Sequence, residues 1–207
     1  MSELEKIYDG NKEHAVGAII LRDGITKIED EAFRNCTQLE KIILPDSVTE
    51  IGNWAFEFCI GLKEIKIPDS VIKIGAGAFA SCRDLTKIQI PASVTKIGSG
   101  AFYCCINLTE IKIPVGVTEI DKHTFCGCRR LREIKIPVGV TEIGDGAFYE
   151  CSELTEIHIP EGVTEIGYRV FDDCDNLRTI SYYRKTEPRL KEIFIWSWDN
   201  LQKIVLD

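Results

Sequence analysis

The sequence predicts a solenoid, a stack of short coils in which parallel strands form one wall and tight turns lie opposite. Three observations predict it. Phenylalanine recurs every 23 residues at Phe33, Phe56, Phe79, Phe102, Phe125, Phe148 and Phe171. Cysteine keeps the same step at Cys36, Cys59, Cys82, Cys105, Cys128, Cys151 and Cys174, and leucine does so from Leu39 to Leu177. One coil of this length cannot shield both of its apolar edges from water, so neighbouring coils stack, strand on strand about 4.8 Å apart.

The elements follow in order along the unit L-x-x-I-x-I-P-x-x-V-T-x-I-G-x-x-A-F-x-x-C-x-x. The charged, off-period start, residues 1–15, is a polar N-terminal cap. From residue 16 to 182 the coils repeat, with Val16 in the rank of the leucines. I-x-I alternates with period two, as a half-buried strand does, and the following proline ends the ladder because it has no N–H to donate. "VTEIG" alternates again and predicts a second short strand. "GAFxxCxxL" then points Ala, Phe, Cys and Leu inward from a short helical or irregular turn. Residues 183–207 are a degenerate last repeat and cap: Tyr182 and Tyr183 replace the Ile and Pro of the unit, and "NLQKIVL" resumes the strand pattern at Leu201 after one inserted residue. Trp198 takes the cysteine slot and is expected to plug the core.

Composition narrows the partners. With 33 acidic against 25 basic residues and a net charge of -8, the chain lacks the concentrated basic surface that nucleic acid or an anionic membrane requires. No stretch approaches the roughly 18 to 20 apolar residues of a membrane span. The opening "MSELEKIYDG" lacks the basic-then-apolar order of a secretory leader. Nine cysteines cannot all pair, so they do not fix the compartment.

"HTFCGC", residues 123–128, holds the ligand chemistry of a metal or redox site. Its geometry argues against one. Cys128 belongs to the inward column and packs as a small group able to lie close to backbone amides. Parallel side-chain vectors in that column hold neighbouring sulfurs away from disulfide geometry. Cys104 and Cys126 lie off the column on adjacent coils; they can be drawn as a disulfide or with Cys105 and Cys128 as a zinc site, but four sulfurs on such turns do not converge. His123 falls in the slot of Gly77, Gly100 and Gly146, an exposed position. It is separated from His14 and His158, so no triad forms. No phosphate-cradling glycine motif is present, and no catalytic residue, metal or cofactor is expected.

The outward strand positions are the better candidates. One column runs Lys41, Glu64, Lys87, Glu110, Glu133, Glu156 and Thr179; its neighbour runs Ile43, Lys66, Gln89, Lys112, Lys135, His158 and Ser181. Read as a charge ladder, each acid finds a diagonal base. Read as a ligand face, the binding set is Ile43, Glu64, Lys66, Gln89, Glu110, Lys112, Glu133, Lys135, His158 and Ser181, with specificity where the ladder breaks. A competing surface is the aromatic C-terminal end, where Tyr183, Phe194 and Trp196 could join two copies into a homo-oligomer.

The "LxxIxIP" strand followed by "IGxxAFxxC", running from about residue 16 to residue 206, resembles the BspA-type leucine-rich repeats. That resemblance implies a curved, right-handed leucine-rich-repeat solenoid with its parallel sheet on the concave face. It further implies a non-catalytic recognition module whose partner is another protein, a host protein among the candidates, and a place at the cell surface or outside it. The self-assembling scaffold is the alternative.

Overall fold

The computed structural model describes residues 5–7, 15–194 and 198–207. They form a parallel-strand β-solenoid of about eight turns, each coil numbered here by its phenylalanine from Phe33 (coil 1) to Phe194 (coil 8). Three sets of backbone hydrogen bonds, the first two with interruptions, tie neighbouring coils together. The first is the strand wall: Gly17–Ile20, Leu39–Ile43, Glu64–Lys66, Lys87–Ile88, Glu110–Ile111, Glu156–His158, Thr179–Tyr183 and Gln202–Leu206. Its pairings are parallel and keep the 23-residue register, as in Lys41↔Glu64 and Ile157↔Ile180. Glu5–Ile7 adds a further parallel strand beside Ala18–Ile20.

The second ladder is the expected "TxI" strand: Lys27–Ile28, Glu50–Ile51, Lys73–Ile74 and Lys96–Ile97 in one sheet, Glu119–Ile120, Glu142–Ile143 and Glu165–Ile166 in another. Beyond each strand a glycine presses on the previous coil. A Cβ at Gly75 or Gly98 would stand 2.6 Å from a backbone nitrogen there, and each glycine N–H reaches the isoleucine carbonyl of that coil, Gly98 to Ile74 at 2.9 Å. Coil 5 carries Asp121 in this slot. Its Cβ cannot enter so narrow a space, and the ladder breaks there, between Lys96–Ile97 and Glu119–Ile120.

The third set runs through the turns. Phe56 N–H donates to the Ala78 carbonyl at 2.7 Å and Phe125 N–H to Ala147 at 2.9 Å, with the residues two before and two after each Phe doing the same. Those flanking residues are left-handed in coils 1 to 7: Glu31 and Asn35, Trp54 and Phe58, Gly77 and Ser81, Gly100 and Cys104, His123 and Gly127, Gly146 and Glu150, Arg169 and Asp173, with φ between +53° and +74°. Two left-handed residues four apart bend the chain tightly enough to aim Phe and Cys inward without a helix. Glycine suits the first slot for this reason, and exposure alone does not explain it.

The core is a set of stacked columns. Phe33 through Phe171 lie ring on ring at 5.2–5.7 Å with planes within 8° of parallel. Each fully buried ring contributes on the order of 1.5–3 kcal/mol. Two expectations are corrected here. Phe194, assigned to an association surface, is buried and stacks on Phe171 at 5.3 Å; it lies 23 residues after Phe171, so the inserted residue follows it. Val16 is exposed: the register shifts at Gly17, whose φ is +69°, and Ala15 turns inward. The last coil replaces its turn with the helix Glu187–Ile193, which carries Pro at its start. Trp196 and the side chain of Trp198 lie outside the described residues.

Candidate functional site

The cysteine column has a specific job. Each thiol donates to the phenylalanine carbonyl of the previous coil: Cys59 Sγ to Phe33 O at 3.0 Å, Cys105 to Phe79 at 3.1 Å, Cys128 to Phe102 at 3.2 Å, Cys174 to Phe148 at 3.1 Å. The backbone group each thiol meets is a carbonyl, because the thiol is a donor, and that acceptor is already held by its own coil's Cys N–H. Burial pushes Cys105 and Cys174 up to about 12 and Cys82, Cys128 and Cys151 well above the ordinary thiol range. These thiols are packing and hydrogen-bonding groups. Cys104 and Cys126 are also free thiols, and burial pushes Cys126 up to about 11. Among the described residues no cluster of His, Cys, Asp and Glu could hold a metal.

The strand wall gathers the candidate residues on one surface. Glu64, Lys66, Gln89, Glu110, Lys112, Glu133, Lys135 and His158 are exposed, and Ile43 and Ser181 are half-buried toward the ends of the wall. The alternation that buries Ile65, Ile88, Ile111, Ile134 and Ile157 turns their neighbours outward. The structure brings these residues into two rows but does not pair them diagonally, as the charge-ladder reading expects. Ion pairs form only straight across, Lys41–Glu64 at 3.5 Å and Lys87–Glu110 at 2.9 Å, where the first row alternates in sign.

From coil 4 onward like charges lie over like: Glu110, Glu133 and Glu156 in one row, Lys112 and Lys135 in the next. Among the described residues Lys66, Lys112, Glu133, Lys135 and Glu156 form no ion pair, whereas the coil flanks pair Lys63 with Glu40, Arg129 with Glu150 and Arg132 with Glu153. Strand pairing also lapses at residues 131–137, the coil where both rows meet like charges. A stack of acids does not by itself break a ladder, since Glu119, Glu142 and Glu165 stay paired on the second one.

The rows end in a recess of about 320 Å³ bounded by Val138, His158, Glu161, Tyr183 and Lys185. His158 Nδ1 lies 2.9 Å from Ser181 Oγ, and its ring meets Tyr183 edge-on at 6.4 Å. Tyr183 is therefore part of the wall. Val138 beside it is 83% exposed, the most exposed large apolar side chain described. The period gives no sign of this recess, because Tyr183 and Lys185 belong to the degenerate coil.

Comparison with known proteins places the chain among repeat proteins. A family model described as BspA type leucine rich repeat region matches residues 11–129 and 95–206, in six copies. A leucine rich cell surface protein from Faecalibacterium prausnitzii is 38% identical, with a TM-score of 0.74 over 86% of this chain and 49% of that one. The chain thus spans about half the length of that protein. A leucine-rich repeat protein of T. pallidum is 27% identical, with a TM-score of 0.57 over 87% and 84% of the two chains. One from Bacteroides ovatus, 23% identical with a TM-score of 0.60 over 100% and 76%, shares the fold. Among curated proteins no relative is found.

Proposed function

This chain belongs to the BspA-type leucine-rich repeat family, and we propose that it is a non-catalytic module that binds another protein through its strand wall. The observation that carries the reading is the pair of adjacent rows of opposite sign, Glu110–Glu133–Glu156 and Lys112–Lys135, in which among the described residues Glu110 alone is ion-paired, to Lys87, leading to the His158 and Tyr183 recess. Exposed charges without partners cost the fold little and leave their full interaction for a ligand of complementary pattern, which gains chiefly in association rate and specificity. Tyr183 and Val138 supply the apolar anchor that such interfaces concentrate at one spot. Adhesion at a cell surface is the setting that the F. prausnitzii cell surface protein suggests; among the described residues no helix is long and apolar enough to cross a membrane.

The test is a pull-down with the unaltered chain and with a variant carrying Gln89→Ala, Lys112→Ala, Lys135→Ala and His158→Ala, all exposed positions. Partners lost by the variant and weakened by salt are expected. An identical set from both rules the wall out.

A second reading, end-to-end association, draws on Gln202–Leu206, which pairs with Thr179–Tyr183 on one side and exposes Ile204 and Val205. Light scattering on Ile204→Lys separates it: a dimer that this change dissociates supports it, and a monomeric unaltered chain removes it.

A further inference from the structure

The face opposite the wall carries a groove of about 640 Å³, running over the turns of coils 2 to 7. Its floor follows two columns, one in steps of 23 from Trp54 and one in steps of 23 from Glu57. Between Trp54 and Arg169 the four intervening coils place no Lys, Arg, Asp or Glu in either column, in a chain that is 28% charged. At the ends the charges are satisfied internally: Glu57 by Arg34 at 2.6 Å and Arg169 by Asp172 at 2.9 Å. An ionic ligand would find no counter-charge along this trough. A neutral one loses nothing.

Two of its rings press on glycines of the next coil. A methyl at Gly77 would collide with the Trp54 indole, and one at Gly146 with the His123 imidazole. The edge of each ring therefore rests against the bare backbone of the next coil. At Gly100, between them, a Cβ would meet only the Tyr103 Cβ at 3.6 Å, so the floor there is open, with Tyr103 as its wall. Trp54 and Tyr103 are each 43% exposed. Tyr149, two coils beyond Tyr103, is braced on one face by the Arg169 guanidinium at 4.8 Å.

We propose that this groove binds a neutral, β-linked oligosaccharide laid along the solenoid axis. A pyranose with equatorial hydroxyls offers flat C–H faces to aromatic rings and hydroxyls at its rim. The exposed parts of the Trp54 and Tyr103 rings take the first, and the Tyr103 hydroxyl, Ser99 and His123 take the second. The repeat matches as well. In the same coils the Phe102, Phe125 and Phe148 rings of the core repeat at 5.6–5.7 Å. An extended 1,4-β-linked chain advances nearly one coil per sugar and shows the same ring face at every second sugar. Tyr103 and Tyr149 recur at every second coil.

The test is an NMR titration of the unaltered chain with cellotetraose and tetra-N-acetylchitotetraose, with maltotetraose and decaproline as comparisons. Shifts confined to the Gly77, Gly100, His123 and Gly146 amides with a β-linked tetrasaccharide are expected, with none from the α-linked one. Tyr103→Ala and, separately, Trp54→Ala should weaken binding about tenfold or more, with unchanged melting as the control for folding. Absence of groove shifts with both β-linked sugars overturns the proposal. So does equal binding by both variants, or groove shifts from decaproline alone, which would assign the aromatics to a proline-rich peptide.

Discussion

At the scale of single residues, the cysteine column makes stability depend on pH in a definite direction. Burial holds the column thiols neutral in the folded chain, with Cys105 and Cys174 up to about 12. In the unfolded chain thiols ionise from about pH 8.5. Above that pH the unfolded state binds fewer protons, so stability falls as pH rises; below it both states are protonated and these groups add no slope. Each thiol contributes at most about 1.4 kcal/mol per pH unit in that window. The melting temperature is therefore expected to drop steeply between pH 8.5 and the folded values near 12. The drop should be shallower in a Cys105→Ser, Cys128→Ser, Cys151→Ser variant. Equal pH dependence in the two chains would contradict the assignment. At one site, Cys128→Ala should cost about 1–3 kcal/mol by denaturant unfolding, through the lost methylene-sized packing and the lost donor to Phe102. Cys128→Ser, which keeps an O–H donor, should cost less.

Among elements, the weak junction lies between coils 4 and 5. Asp121 stands where a glycine lets the coils close, and the second ladder is interrupted there. Asp121→Gly is expected to join Lys96–Ile97 to Glu119–Ile120, slow amide exchange at Glu119 and Ile120, and raise stability by about 0.5–1.5 kcal/mol, the worth of one hydrogen bond. Unchanged exchange there would show that something other than the Cβ holds the junction open. The strands and core columns were legible in the sequence because they share one period, and a period fixes which side chains have the same fate. The left-handed pairs were not. Trp54, His123 and Arg169 occupy the first of those slots as well as glycine does, so the residue types there advertise exposure and hide the backbone. Phe194 kept the period, but the insertion behind it masked its rank. The charge rows were legible as rows; which neighbour each side chain turns to is a rotamer choice that the spacing does not carry.

Across the whole molecule, the stack presents two unlike faces: a charged wall of strands and a neutral, aromatic line of turns. Neighbour-only contacts make stability a sum of coil and interface terms, and the core separates the side chains of the two faces, so a ligand on one leaves the other open. That independence makes the wall testable by covalent lysine footprinting. Lys66, Lys112 and Lys135 report on the wall, while Lys73, Lys96 and Lys122, on the second ladder and the turns, serve as internal controls within the same chain. With the partner recovered in the pull-down bound, the account predicts that labelling of Lys66, Lys112 and Lys135 falls while that of Lys73, Lys96 and Lys122 holds. Protection of the second set with the wall lysines still fully labelled would contradict it.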